Sequence, residues 1–420
     1  MRKLLLLFIF GYPFLVLHGQ RPCYNSFYQA EMSARYPGII LQRAAVESFT
    51  RDVIRKRPLG IFSTPDSGTA MPSTITIPVV VHILYHSSQE NISEAQVQSQ
   101  LDVLNADYSR TNKDASGTPA AFRNVAADCG FRFVLARVDP QGYGTNGIVR
   151  KQTSNNVFGV NDDIKFAAKG GDDAWDPNRY LNIWVGNLQS GYIGYASVIG
   201  GPMERDGVVI QYTAFGIIGI LQSPYNFGRT ATHEIGHWLN LIHIWGDANC
   251  GDDHVDDTPP QQTSTSGCPS GVISSCNNGP NGNMYSNYMD FTNDQCMNLF
   301  TKGQRDRMRS LFEPGGYRYS LLSSNALTST PLPSPYRNDN NGDLTSGLSV
   351  YPNPASSTVQ VRMNGNFVAG STVEVYSLEG RKLMSELMNR QDQTLNIASL
   401  KPGIYFVKIN GGSVSRLVKL

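Results

Sequence analysis

The sequence predicts an α+β domain with a mixed twisted sheet, followed by a small all-β sandwich. The first part alternates strand and helix patterns: a buried strand over Ile75 to Tyr85, a helix capped by Ser93, and a further strand over Phe131 to Val138. This order indicates a sheet with helices packed against it. The last part contains short alternating strands separated by Gly and Asn turns, which is typical of a sandwich of about seven strands.

The densest group of metal-binding side chains lies in the stretch 233–243. His233 and His237 stand four residues apart, so on a helix they share one face and can bind one ion. His243 follows six residues after His237, and it reaches the same ion only if the helix ends and the chain turns back. Asn240 occupies the position where that turn is needed. The spacing therefore predicts a zinc site.

Three neutral imidazoles leave the fourth tetrahedral position of a zinc ion open, as in catalytic rather than structural sites. Zinc lowers the pKa of bound water to about 7. Glu234, adjacent to His233, can then accept the proton and pass it to a leaving amine. The pattern predicts metal-assisted amide hydrolysis. The alternatives are a helix with core histidines and a zinc site that only stabilises the fold.

The motif resembles that of the metzincin peptidases, His-Glu-x-x-His-x-x-Gly-x-x-His followed by a methionine turn. Asn240 replaces the Gly, and Asn is among the few residues that adopt the left-handed conformation at modest cost. The methionine turn corresponds to Asn287-Tyr288-Met289, and the resemblance places Met289 beneath the histidines. It implies a metzincin-type catalytic domain with a backing helix, an active-site helix and a loop-rich C-terminal subdomain.

The loop at 246–259 is rich in carboxylates. Hard oxygen ligands suit calcium, and we predict a structural Ca²⁺ bound by Asp253, Asp256 and Thr258. The spacing is not that of an EF-hand. The alternative is solvated surface charge.

Four cysteines follow in this half of the chain, and in an exported protein they indicate disulfides. Spacing alone leaves their pairing open. The zinc motif, the Asp-rich loop, these cysteines and the methionine turn together resemble the pappalysin family of metzincins, over roughly residues 75 to 315. That resemblance implies the pairs Cys250–Cys276 and Cys268–Cys296.

Asp294 lies two residues before Cys296. Family members close to this chain place an acid here, at the bottom of the pocket for the residue after the scissile bond. The resemblance therefore implies cleavage on the N-terminal side of Arg or Lys. By itself, Asp294 would be an exposed loop acid.

The N-terminus predicts export. Arg2 and Lys3 precede an apolar run that ends at Leu17, which is typical of a secretory signal peptide over residues 1–20. The run is too short for a comfortable membrane span, and no later stretch is apolar enough to cross a bilayer. The net charge of +1 gives no electrostatic reason to expect nucleic acid as a partner.

Residues 21–72 are polar and Arg-rich, and we interpret them as a prosegment. Cys23 could supply a thiolate to the fourth zinc position and hold the enzyme latent, a device found in relatives. The alternatives are a disulfide to Cys129 or an idle thiol.

The C-terminal segments Val350 to Ala355, Leu400 to Tyr405 and Arg416 to Leu420 are similar to the sorting domain of the type IX secretion system. The resemblance implies export through the periplasm to the cell surface or the medium, with the secretion machinery as a partner. An adhesive or carbohydrate-binding sandwich is the alternative.

Together these patterns predict a secreted zinc endopeptidase made as a latent zymogen, with protein or peptide substrates. The rival is a surface-displayed binding or adhesion protein whose zinc site is structural or degenerate. The predicted parts are a signal peptide (1–20), a prosegment (21–72), a zinc metallopeptidase domain (73–322), a linker (323–347) and a sorting sandwich (348–420).

Overall fold

The chain divides into two units, Met1–Leu332 and Pro333–Leu420. The predicted signal peptide and most of the predicted linker lie outside the residues that the structure describes. The computed structural model describes residues 23–56, 71–327, 348–363, 370–377, 381–409 and 414–420.

The first unit is built on one mixed six-stranded sheet. Its strands are β1 (Ile75–Tyr85), β2 (Phe131–Leu135), β3 (Ile148–Gln152), β4 (Leu181–Gly186), β5 (Gly194–Ala196) and β6 (Val208–Gln211). The central strand β1 pairs in parallel with β2, β3 and β4, and β4 pairs in parallel with β6. The short strand β5 runs antiparallel to β6 and forms an edge, so the sheet is mixed, as predicted.

Strand β1 is buried on both faces, which explains its nearly continuous apolar sequence. Ile77, Val79 and Val81 belong to the main core, which also contains the helices that carry the functional site. Leu84 points to a second core on the opposite face of the sheet.

Five α-helices accompany this sheet among the described residues, and two of them begin at a capping side chain. Ser93 caps the backing helix by accepting a hydrogen bond from Gln96 N. Thr301 and Gln304 form a capping box at the start of the last helix of this unit. In the described part of the chain, no helix combines the length and apolarity that a membrane crossing needs. The helices are α1 (Asn25–Arg35), α2 (Gly38–Lys56), α3 (Glu94–Tyr108), α4 (Arg229–Trp238) and α5 (Lys302–Ser310).

Helices α1 and α2 form an N-terminal segment that packs against the rest of the first unit. Tyr28, Met32 and Ile39 are buried in the second core, beside Trp184 and Tyr195. This segment therefore covers the outer face of the sheet with its own apolar side chains.

The C-terminal unit contains a four-stranded and a three-stranded antiparallel sheet among the described residues, in agreement with the predicted sandwich. Its core includes Val361, Val375, Val407 and Leu417. The strands are β7 (Leu348–Tyr351), β8 (Thr358–Met363), β9 (Ser371–Tyr376), β10 (Lys382–Met388), β11 (Asp392–Asn396), β12 (Gly403–Ile409) and β13 (Val414–Lys419).

Candidate active site

Helix α4 carries the first two histidines on one face, and every residue of the helix is buried. The helix ends at Trp238, and the chain then reverses at Asn240, whose φ is 69°. Leu241 N donates to Gly236 O (2.9 Å), which closes this turn. The left-handed Asn thus does what the sequence predicts, and His243 returns to the other two imidazoles.

The three imidazoles converge through their Nε2 atoms. His237 Nε2 lies 3.1 Å from His233 Nε2 and 3.1 Å from His243 Nε2. Each Nδ1 faces an oxygen acceptor, so each ring carries its proton there and presents an unprotonated Nε2 inward. The acceptors are Tyr288 O for His233 (2.6 Å), Leu241 O for His237 (2.9 Å) and Asp247 Oδ1 for His243 (2.5 Å).

This donor set fits zinc. Zn–N distances of about 2.0–2.1 Å in a tetrahedron place ligand nitrogens about 3.3 Å apart, close to the observed 3.1 Å. Burial and then the neighbouring His243 lower the pKa of His237 to about 3, so that ring stays neutral. Three inward lone pairs repel one another unless a cation lies between them.

Cys23 of the N-terminal segment lies at the same point. Its Sγ is 3.8 Å from His237 Nε2, and it forms one group of potential metal ligands with the three histidines, all within 4.8 Å. Burial and then the charge of Glu234 raise the pKa of the Cys23 thiol well above its ordinary value. The alternative disulfide to Cys129 is not formed, because Cys129 is a separate buried thiol.

Edge strand β5 passes directly over Glu234. A Cβ added to Gly194 would lie 3.0 Å from Glu234 Cγ and 3.1 Å from Thr230 Cγ2, so the strand approaches the helix this closely only because residue 194 is Gly. Cys23 pairs with Gly194 in a parallel bridge, and Tyr24 N donates to Gly194 O (3.5 Å). The N-terminal segment thus occupies the edge where an extended chain would pair.

Met289 lies beneath the helix, where the resemblance places it. It is fully buried, and a Cβ on Gly236 would meet its Sδ at 2.5 Å. Asn287 Oδ1 accepts from Met289 N (2.9 Å) and fixes the turn. Phe291, two residues later, packs its ring 4.8 Å from that of His243.

Sequence reasoning missed Asp107, a buried residue of α3 that joins the parts of the site. Arg229 Nε donates to Asp107 Oδ2 (2.9 Å), the Thr232 hydroxyl donates to the same oxygen (2.8 Å), and the Tyr288 hydroxyl donates to Oδ1 (2.9 Å). One carboxylate therefore ties the backing helix to the zinc helix and to the methionine turn. No spacing rule connects it to them, since its partners lie more than a hundred residues away.

Asp294 is buried beside the first turn of α4 rather than exposed. Its Oδ2 accepts from Phe227 N (2.9 Å) and from Arg229 N (3.2 Å), and its backbone oxygen accepts from Arg229 Nη1 (3.3 Å). A carboxylate here stabilises the positive end of the helix. The structure thus gives Asp294 a helix-positioning contact that the sequence did not indicate.

The Asp-rich loop is organised by its own hydrogen bonds. Asp253 is buried and accepts from the Thr258 hydroxyl (2.7 Å) and from Val255 N (3.1 Å), while Asp256 is exposed. In the described ranges, the one converging group of three or more potential metal ligands is that of Cys23 and the histidines. Asp253 and Thr258 are brought together, but Asp256 does not join them.

Two disulfides brace the loops around the site. Cys250 is bonded to Cys276 and Cys268 to Cys296, with Cα atoms 5.8 and 5.7 Å apart. This is the pairing that the resemblance implies.

Comparison with known proteins decides the family. The family model described as Pregnancy-associated plasma protein-A (Peptidase M43) matches residues 165–313. An extracellular metalloprotease of Pyricularia oryzae is 34% identical over 253 residues, which cover 58% of this chain and 77% of the relative. The chain belongs to this family of metallopeptidases. An extracellular metalloprotease of Arthroderma benhamiae is 31% identical over 251 residues, covering 57% and 73%.

Solved structures of similar proteins support the same family assignment. Mature mirolysin of Tannerella forsythia in complex with a cleaved peptide is 50% identical, with a TM-score of 0.59, over 60% of this chain and 97% of that one. A mutant of Tannerella forsythia promirolysin is 44% identical, with a TM-score of 0.64, over 72% and 97%. As an M43 metallopeptidase, the chain is a zinc metalloendopeptidase.

The C-terminal unit has its own match. The model described as Secretion system C-terminal sorting domain matches residues 349–420. With the extracellular relatives, this makes the protein secreted or displayed at the cell surface.

Proposed function

We propose that the chain is a latent zinc endopeptidase precursor in which His233, His237 and His243 hold the zinc ion and Cys23 blocks its fourth position. The observation that carries this proposal is the convergence of Cys23 Sγ and three Nε2 atoms within 4.8 Å. The proposal keeps the boundaries predicted from the sequence: a signal peptide at 1–20, a prosegment at 21–72, a catalytic domain at 73–322, a linker at 323–347 and a sorting domain at 348–420.

In the active enzyme, the chain's own groups position and move protons. When bound, zinc supplies Lewis-acid activation of water and of the peptide carbonyl. Glu234 accepts a proton from the attacking water and returns it to the leaving nitrogen. Met289 supports the histidines through Gly236, and strand β5 pairs with the substrate backbone at Gly194.

The precursor is latent because the prosegment competes with water for the fourth zinc position and with the substrate for the edge of β5. Cys23 occupies the position at the histidines that water needs, and its neighbours occupy the edge of β5 that the substrate needs. Ser26 donates to Asp247 Oδ1 (2.8 Å), the oxygen that also holds His243. Removal of the segment from the enzyme breaks all three contacts.

The preference for Arg or Lys after the scissile bond rests on Asp294. Its carboxylate is buried at the start of α4, the helix that also carries Glu234. Arg51, Arg55 and Arg57 of the prosegment provide matching bonds for self-cleavage.

A structural calcium at Asp253, Asp256 and Thr258 also stays a proposal. The carboxylate and the hydroxyl of Asp253 and Thr258 already lie side by side, and Asp256 would have to turn inward.

The test is cleavage of a mixed peptide library by the activated protein, with sequencing of the new N-termini. We expect new N-termini that begin with Arg or Lys, absent with Glu234→Ala and with a zinc chelator. Asp294→Asn should lose the preference while keeping Glu234-dependent cleavage. An unchanged preference together with a lower melting temperature would make Asp294 a helix-positioning residue only. No Glu234-dependent cleavage after removal of the prosegment would overturn the proposal.

A further inference from the structure

A second contact of the prosegment lies on the outer face of the sheet, in the second core. The Tyr28 hydroxyl donates to Asp162 Oδ2 (2.5 Å), and its ring packs 5.0 Å from the ring of Tyr195. Tyr28 is 1% exposed. Three other side chains bond to Asp162, and all three belong to the catalytic domain.

The carboxylate of Asp162 bonds to four side-chain donors, one of which belongs to the prosegment. Lys165 Nζ lies 2.9 Å from Oδ1, Arg205 Nη1 donates to Oδ2 (2.7 Å), and the Tyr195 hydroxyl donates to Oδ1 (3.1 Å). These three donors remain when the prosegment leaves. The carboxylate is therefore already positioned to accept a phenol hydroxyl.

Aromatic rings surround the buried cation of this site. Lys165 Nζ lies 5.3 Å from the ring centroid of Tyr28, 5.5 Å from that of Trp184 and 5.0 Å from that of Tyr195. Removing Tyr28 would open one wall around a buried ammonium and uncover Trp184 and Tyr195. Both changes are unfavourable in water, so the site favours having an aromatic occupant.

The cleavage that activates the enzyme does not touch this contact. Of the proposed cutting points, Arg51 and Arg55 lie in the second half of α2, and Arg57 lies outside the described residues. Tyr28 and Met32 lie in α1, and Ile39 lies at the start of α2, all of them before these points. A single cut there leaves the entire buried surface of α1 in place.

We propose that Asp162, Lys165, Tyr195 and Trp184 form a phenol-binding pocket that retains the cleaved prosegment on the enzyme through Tyr28, independently of Cys23. The proposal rests on the proposed latency. It makes the excised segment a ligand of the mature enzyme, and activation then needs a second event, either further proteolysis within α1 or dissociation.

The test uses the full-length Glu234→Ala precursor, which cannot cut itself. Limited trypsin treatment cuts after Arg55 or Lys56, whereas the bond after Arg57 is protected by Pro58. Gel filtration without denaturant then separates the free segment from the retained segment, and mass spectrometry identifies it. We expect the segment to co-elute with the enzyme in the parent and in Cys23→Ser. Tyr28→Ala should release it.

Two further variants make the test specific. Phe27 neighbours Tyr28 on the same helix and is 61% exposed, so Phe27→Ala is the matched control and should retain the segment. Tyr28→Phe removes only the hydroxyl that Asp162 accepts, and it should speed dissociation about tenfold or more. If Tyr28→Ala fails to fold, the dissociation rate of Tyr28→Phe tests the proposal instead.

Release from the parent, release by Cys23→Ser, or retention by Tyr28→Ala as strong as by Phe27→Ala would each overturn the proposal. None of these measurements uses catalysis. A failure of the peptidase proposal would appear in the peptide library and a failure of this pocket in the gel filtration.

Discussion

The histidine cluster and the Asp-rich loop that follows it were both predicted to bind a metal ion, but the potential ligand atoms converge on one point only in the histidine cluster. At the cluster, His237 Nε2 lies 3.1 Å from each of the other two Nε2 atoms, and each ring is oriented by an acceptor that faces its Nδ1. In the loop, the carboxylate of Asp253 accepts hydrogen bonds from Thr258 and Val255, and Asp256 faces solvent.

The difference shows when a set of metal ligands can be predicted from the sequence spacing. His233 and His237 stand on a helix, where four residues always return to the same face, and Asn240 has one conformation that brings His243 back. An irregular loop has no such period, so a high density of carboxylates does not fix where they point. The comparison also indicates that orienting partners such as Asp247 mark a zinc site better than ligand count alone.

The largest expected effect is on a zinc ligand. His237→Ala should lower zinc affinity by more than about a hundredfold and abolish cleavage, because it removes one of three nitrogens. Zinc content after dialysis and cleavage of a peptide measure this. His254→Ala, in the loop, is the control and should retain both. If His237→Ala retained zinc as well as His254→Ala does, the histidine cluster would not be the zinc site.

The next effect is on the partner of His243. Asp247→Ala should lower zinc affinity about 10–100-fold, because the imidazole loses the carboxylate that fixes its orientation. Competition with a chromogenic chelator gives the affinity without using activity. Asp252, in the same loop and largely exposed, provides the control Asp252→Ala. Equal zinc affinity in both variants would contradict a positioning role for Asp247.

Calcium tests the loop directly. If the loop binds Ca²⁺, a concentration of 100 Kd should stabilise the zinc-loaded protein by about 2.7 kcal/mol. Thermal unfolding with and without Ca²⁺ measures this, and Asp253→Asn should cancel the shift. An unchanged melting temperature would mean that hydrogen bonds alone organise the loop.

The smallest effect is at the turn. Asn240→Gly should change the free energy of unfolding by only a few tenths of a kcal/mol, whereas Asn240→Ala should cost about 1–2 kcal/mol, because Ala is strained at φ near 69°. Urea unfolding compares the two. Equal cost would show that the Asn side chain matters more than its backbone conformation.

Regular elements with strong local signals were predictable. Strand β1 has the predicted bounds, and the caps of α3 and α5 are formed by Ser93 and Thr301. The strand predicted over Phe131 to Val138 ends at Leu135. Ala136 N makes the last hydrogen bond to β1, and the next two backbone N–H groups donate to Ala326 O instead. Weakly patterned elements were missed. Strand β6 is four residues long, and β3 alternates little and carries Arg150 and Lys151.

The long-range contacts of the site could not be predicted from one sequence. Asp107 and Asp247 look like ordinary surface acids until the fold brings Arg229, Tyr288 and His243 to them. The helices α1 and α2 were not expected in the polar prosegment, because their few apolar positions are explained only by the folded domain: Tyr28, Met32 and Ile39 pack in the second core and Val46 packs in the main core. Asp294 was placed by resemblance, and its bonds to the first turn of α4 appear only in the fold.

The central claim is that three histidines and Cys23 together bind one zinc ion in the precursor. Zinc X-ray absorption spectroscopy of the Glu234→Ala precursor tests it directly, with Cys23→Ser as the control. We predict three nitrogen ligands at about 2.0–2.1 Å and one sulfur at about 2.3 Å, with an oxygen in place of the sulfur in the control. A spectrum without sulfur in the parent, or identical spectra in both proteins, would contradict the account.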